Sequence, residues 1–405
     1  MGALTVHTHE VADPGDLLAY LPVDRGVAWV RHGDGLVGWG EAVRVEPGPG
    51  EDRIARLVDA YADLSASADV DDEVGLPGCG LVAFVSATFD ARSHSTVLLV
   101  PQVLVGRRDD RAWVTTVDGA DPDLTPQSLP DELADRVRYA GSSKPDVQWL
   151  EAVATAVARI AAGDVQKVVL ARDHAVWSRA PFDPRRLARR LAARFPDCAT
   201  FLVDGLIGAT PEVLVHRERR DVRATVLAGS ARRERDADAD AAVGAALLAS
   251  DKDRAEHAFA LSSVRAALER HCHELHVDGE PSLLLLANVQ HLATQVRGTL
   301  VDDVTALELA DLLHPTAAVG GVPSDIAIAM IRELEGMDRG RYAGPVGWVD
   351  ARGDGEFGIA LRCAELAGAR ARMFAGAGIV AGSLPEDELE ETRLKLRAMR
   401  HAFDA

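Results

Sequence analysis

Apolar and polar positions along this chain fall into blocks whose character changes near residue 146. Before it, short apolar runs dominate. VAWVRHGDGLVGWGEAV (27–43) is two such runs around His32-Gly33-Asp34-Gly35, a hairpin pattern because Gly and Asp tolerate the positive φ of a tight turn. Runs at 81–89, 97–105 and 111–117 continue the strand pattern, and helical spacing at 51–69 interrupts it. Residues 119–132 (GADPDLTPQSLPDE) are rich in Pro, Asp and Ser and read as a linker.

Beyond residue 146 helices and strands mix. Residues 147–162 carry apolar side chains at helical spacing, with Gly163 as the C-cap. KVVLAR (167–172) reads as a buried strand, followed by a helix at 183–194 and strands at 199–208, 213–217 and 223–228. One long helix is predicted over 236–272, another over 304–312, and a third over 322–334 with Ser324 as N-cap. Strands at 342–350, 355–366 and 370–380 precede a helix at 385–403. Strands in antiparallel runs, rather than strict β-α-β alternation, predict an α+β fold.

Composition narrows the function. Acidic residues outnumber basic ones 63 to 44, a net charge of −19 with no dense basic run, which argues against nucleic-acid binding. No apolar run reaches the roughly 20 residues of a membrane helix, and the N-terminus lacks the basic and apolar regions of a signal peptide. Cys79, Cys198, Cys272 and Cys363 are widely spaced and form no CxxC pair, as expected of reduced thiols. The expectation is a soluble, cytoplasmic protein with no membrane contact.

Two acidic segments carry candidate chemistry. Asp253 and Glu256 lie at i, i+3 in DKDRAEH (251–257), and Glu388, Glu391 and Lys395 share a helix face in EDELEETRLK (386–395). If the two helices converge, their carboxylates form a hard oxygen site suited to Mg²⁺; taken singly, each reads as a solvated acidic face. In AGAGIV (375–380) small residues let backbone N–H groups approach an anion, a tight turn being the alternative. Lys167, Glu212, His291 and Arg362 interrupt apolar runs, where charged groups need partners. A lysine against an apolar wall suits a base, and a glutamate in an apolar pocket suits an acid.

Taken in order, KVVLAR, IGATPEVL, LAGSARR, DKDRAEH, VQHLATQVRGTL, LHPTAAVGG, RGRYAGPVGW, GDGEFGIALR and AGAGIVAGSLPEDELEET, with the closing Lys395, resemble the chorismate-utilising enzymes over residues 146–400. These include isochorismate, salicylate, anthranilate and aminodeoxychorismate synthases. Residues 1–140 match only in their β-rich character. The resemblance implies one α+β domain over 1–405, with two β-sheets flanked by helices and the active site between them; the stretch 119–132 is then a surface excursion. It implies that Glu256 and Glu391 hold Mg²⁺, with Asp253 and Glu388 acting through metal-bound water. Tyr342 and Arg362 match positions gripping the enolpyruvyl carboxylate, a task that suits the bidentate guanidinium. Gly376 and Gly378 supply backbone N–H groups, and Ser230, His291 and Lys395 match substrate-contact positions. Lys167 and Glu212 match the base and acid flanking the ring.

Within that family, VLAGS (226–230) places Ala228 where aminodeoxychorismate synthases carry a nucleophilic lysine, which disfavours that branch. Lys167 points to attack by water rather than ammonia, so no glutaminase subunit is expected. The resemblance is strongest to isochorismate synthase, acting as a monomer on chorismate; salicylate synthase, which goes on to eliminate pyruvate, is the alternative. Ala317 and Ala318 stand where the lyase branch is expected to carry a hydroxyl. A non-catalytic scaffold is the reading from another class. Whether the product feeds a siderophore or menaquinone pathway is not written in the chain.

Overall fold

In the computed structural model, which describes residues 3–129, 137–286 and 289–404, two large, mainly antiparallel sheets share the core. Among the described residues the larger has thirteen strands. From one edge it runs Arg138–Gly141, Lys167–Trp177, Arg370–Ile379, Cys363–Ala367, Leu206–Thr210 and Ala199–Val203, then Gly26–Arg31 and further N-terminal strands. The second has ten. It runs Cys272–Val277, Val289–Leu300, Asp221–Arg232, Val213–Glu218, Gly355–Ile359, Pro345–Asp350, Val82–Ser86, Val97–Val100 and Val43–Val45, with Ser282–Leu285 as the tenth, paired with Val289–Leu300. N-terminal strands therefore pair with C-terminal ones in both sheets. Phe201 lies opposite Trp29 in one, and Trp348 opposite Phe84 in the other.

Short chain crossings between the sheets include those at 40–42, 101–102, 211–212 and 360–362. The predicted strand 97–105 is consequently two, Val97–Val100 and Val103–Arg108, broken at Pro101 and belonging to different sheets. The predicted strand 355–366 likewise splits into Gly355–Ile359 and Cys363–Ala367. Arg362 thus sits at a crossing rather than inside a strand, with a positive φ of 47°. The strand predicted at 199–208 is a hairpin, turning at Asp204 and Gly205 with φ of 49° and 77°. Such strands are buried on both faces, so no polar alternation marks where one ends.

The single helix predicted over 236–272 is also two, Ala237–Ala249 and Asp251–Leu268. Ser250 breaks it by capping the second, its hydroxyl accepting the Asp253 N–H at 3.2 Å. The remainder, from Cys272, is a strand. Ser324 is the first helical residue of Ser324–Leu334; the N-cap is Pro323, which has no side-chain acceptor. Gly163 lies one residue beyond the C-cap Ala162, with φ of 87°. Gly376 and Gly378, read as a candidate turn, lie within the strand Arg370–Ile379. Residues 119–129 form no helix or strand, and the rest of that predicted linker lies outside the described residues.

Candidate active site

All thirteen residues singled out from the sequence line one cavity of about 1270 Å³ between the sheets. The larger sheet forms its floor. Lys167 opens the strand Lys167–Trp177, whose neighbour Arg370–Ile379 places Gly378 opposite Val169 and Gly376 opposite Ala171. The N–H groups of Val169 and Ala171 are committed elsewhere, to the Gly320 carbonyl at 2.8 Å and Glu335 Oε1 at 2.7 Å. Antiparallel geometry then turns the N–H and C=O groups of Gly376 and Gly378 away from that partner. The strand Cys363–Ala367 on their other side pairs only as far as Met373, so these groups are left facing the cavity. Small residues are required there: a Cβ on Gly376 would lie 3.1 Å from Tyr342 Oη, and one on Gly378 would lie 3.2 Å from Lys167 Cε.

Two strands separate Lys167 from Glu212, which follows the strand Leu206–Thr210 at the crossing into the second sheet. At about 4.8 Å per strand the two axes are roughly 14 Å apart, which leaves a ring-sized gap over the glycines once both side chains reach inward. Lys167 is 3% exposed and donates to Glu256 Oε1 at 2.7 Å. Glu212 is 7% exposed and has no such partner among the described residues. Burial pushes its carboxyl up to about 7, against the opposing pull of Lys167, Lys395 and Arg362.

The second sheet supplies the opposite wall. Ser230 and His291 are cross-strand neighbours, with Ser230 Oγ 2.8 Å from His291 Nδ1. Burial, reinforced by Arg362 and Lys395, lowers the imidazole to about 3, so it is neutral. Its Nε2 lies 3.5 Å from Arg362 Nη2. Tyr342 is buried and stacks on Phe374 with ring centroids 5.0 Å apart.

Two helices bring the carboxylates. His257 fixes the helix Asp251–Leu268 to the second sheet through the Ala228 carbonyl (3.2 Å) and Thr294 Oγ1 (2.7 Å), which turns Glu256 into the cavity. Asp253 takes part in the cap of this helix, accepting from the Ser250 hydroxyl. From the helix Pro385–Asp404, Lys395 Nζ reaches Glu391 Oε1 at 2.6 Å and the Gly376 carbonyl at 2.9 Å. Glu388 is buried, and burial together with the nearby Glu391 charge raises its carboxyl above the usual range despite a bond from Ser383. Glu391 is pulled the other way: Lys395, Lys252 and Lys167 outweigh its burial and hold it low. Among the described residues, no three His, Cys, Asp or Glu side chains already form a metal-ligand cluster. Lys252 was missed from sequence. It lies four residues before Glu256 in DKDRAEH and lines the same cavity, but i, i+4 spacing alone marks only a helix pair.

A family model described as chorismate binding enzyme matches residues 28–404, and the chain belongs to that family. It is 44% identical over 284 residues to the putative isochorismate synthase MenF of Mycobacterium tuberculosis, covering 66% of this chain and 76% of that protein. It is 35% identical over 398 residues to the salicylate biosynthesis isochorismate synthase of Pseudomonas aeruginosa, covering 91% and 82%. The fold superposes on the crystal structure of a putative 2,3-dihydroxybenzoate-specific isochorismate synthase, DhbC from Bacillus anthracis. The TM-score is 0.79 with 31% identity, over 95% of this chain and 98% of that one.

Proposed function

We propose that this chain is an isochorismate synthase, converting chorismate to isochorismate by adding water at C2 and releasing the C4 hydroxyl. The observation that carries the reading is the buried Glu212, without an ion-pair partner among the described residues and with its carboxyl raised to about 7, across the glycine floor from Lys167. Substrate lies over Gly376 and Gly378, with its enolpyruvyl carboxylate toward Arg362 and Tyr342. Lys167, as the free amine, takes a proton from the water that attacks C2. An ammonium has no lone pair to offer, so this role requires Lys167 to give up one proton, while a remaining N–H can still donate to Glu256. Glu212 delivers its proton to the departing C4 oxygen, and the ring double bonds shift to accommodate the exchange. Each positioned proton transfer is worth about 10²–10⁴-fold in rate.

The donor set suits Mg²⁺. Glu388 and Glu391 are like-charged neighbours whose repulsion a divalent cation relieves, and Glu256 faces the same cavity. Mg²⁺ commonly takes only one or two protein carboxylates, completing its shell with water and substrate oxygens. Glu256 and Glu391 would hold it, with Asp253 and Glu388 reached through water, and when bound it would neutralise the ring carboxylate of chorismate.

The reading includes no glutaminase subunit, because water is the nucleophile, and no pyruvate release, because Ala318 lines the cavity without a hydroxyl. Incubation with chorismate and Mg²⁺, followed by chromatographic separation, tests it. Isochorismate without salicylate or pyruvate is expected. Stoichiometric pyruvate identifies a salicylate synthase instead, and absence of turnover rejects the enzyme reading.

A further inference from the structure

The cavity is larger than one small ring acid requires: sites for small molecules commonly span about 300–1,000 Å³, and this one measures about 1270 Å³. The surplus lies along the helix Pro385–Asp404, which lines the cavity from Asp387 to His401, roughly 20 Å at 1.5 Å per residue. Glu388, Glu391 and Lys395 occupy its inner stretch; Arg397 and His401 extend beyond them. The opposite wall extends the same way, past Ser230 and His291 to Arg232 and Val289, then Arg235, with Arg194 at the end of the helix Pro184–Arg194.

Charges along this outer stretch do not cancel. Glu234 accepts from Arg232 at 2.6 Å and Glu390 accepts from Arg393, while Asp236 keeps its charge and caps the helix Ala237–Ala249 by accepting the Ala239 N–H at 3.0 Å. Arg233 is likewise spent, on Asp240. Arg194, Arg235 and Arg397 are exposed, line the cavity and have no ion-pair partner among the described residues. Three guanidinium groups without a carboxylate partner among the described residues, Arg194 packing over the Phe195 ring, surround the approach to a buried site on a chain of net charge −19, and place local positive charge against a repulsive background.

We propose that this outer stretch is an anion antechamber, in which Arg194, Arg235 and Arg397 capture a small dicarboxylate and pass it inward to Arg362. The proposal rests on the isochorismate synthase reading for its ligand, a substrate carrying two carboxylates. Electrostatic capture of this kind raises encounter rates and fades as salt screens the field. The test compares kcat/KM for chorismate in wild type and in the triple variant Arg194→Glu, Arg235→Glu, Arg397→Glu, from about 20 to 500 mM NaCl. The expected result is a deficit of about tenfold or more at low salt that closes as salt rises, carried by KM rather than kcat. Equal kcat/KM at low salt, or a deficit that ignores salt, overturns the antechamber. Should the triple variant fail to fold, the single Gln replacements decide. Each is expected to show a loss of about twofold with the same salt dependence, and unchanged values overturn the proposal. Failure of wild type to convert chorismate is a separate outcome that rejects the function reading. In that case, salt-dependent binding of isophthalate by wild type, weakened in the triple variant, still reports on the antechamber.

Discussion

Glu212 shows what single residues contribute. Its carboxyl is raised from 4.5 to about 7 by burial, so the folded state binds its proton more tightly than the unfolded state. Its contribution to stability is then fully present below about pH 4.5 and lost as pH rises through about 7, roughly 3 kcal/mol in all. Glu212→Gln should therefore be more stable than wild type at pH 8 but not at pH 4, measured by denaturant unfolding. The same substitution should lower kcat by about 10²–10⁴ while chorismate still binds. In wild type, kcat/KM should fall on the alkaline side of about pH 7, where the acid has lost its proton. Lys167→Ala is expected to abolish turnover and retain substrate binding by titration calorimetry; normal turnover would remove Lys167 from the mechanism. Gly378→Ala places a methyl carbon 3.2 Å from Lys167 Cε, a flexible neighbour that can yield. Thermal stability should change little and kcat should fall at least about tenfold, because the displaced group is the proposed base.

Elements show why some of the site was legible and some of the fold was not. Glu388, Glu391 and Lys395 recur on a helical period, and Lys167, Glu212 and His291 stand out as polar interruptions of apolar runs, so both patterns survive in the chain. Strand limits were harder to read. Leu206–Thr210 is buried throughout and shows no alternation, and the hairpin at Asp204-Gly205 passed as one strand. Val289–Leu300 alternates in burial, but its buried positions include Gln290 and Thr294, so hydrophobicity does not reveal it. Ser250 is a further case: its capping role is invisible inside an otherwise helical stretch. Ser250→Ala should cost about 1 kcal/mol. It should also raise the Mg²⁺ concentration needed for half-maximal rate, because the cap orients the turn that carries Asp253 and Glu256. An unchanged Mg²⁺ requirement would separate the cap from the proposed metal site.

At the scale of the molecule, the motif-bearing region and the divergent N-terminal part are structurally interleaved. The strand Ala199–Val203 pairs with Gly26–Arg31, and Pro345–Asp350 pairs with Val82–Ser86. A fragment beginning near residue 140 holds every candidate site residue but exposes two apolar strand edges. Such a fragment should fail to fold cooperatively, giving no sharp thermal transition by circular dichroism and no chorismate turnover. The family match from residue 28 onward agrees with this, although the N-terminal strands carry packing surface rather than the motifs of the site.

The pairing of Val168 with Ile379 joins residues roughly 210 apart in sequence. Nothing resembling a working site exists until synthesis has passed Lys395. At about 5–20 residues per second, the ribosome needs roughly 10–45 s to travel from Lys167 to Lys395. Throughout that interval the strand beginning at Lys167 lacks its long partner, and its apolar edge is open to any other strand nearby. The same interleaving that builds the cavity between the sheets thus leaves the newborn chain exposed to aggregation, and makes catalysis a property only of the finished fold.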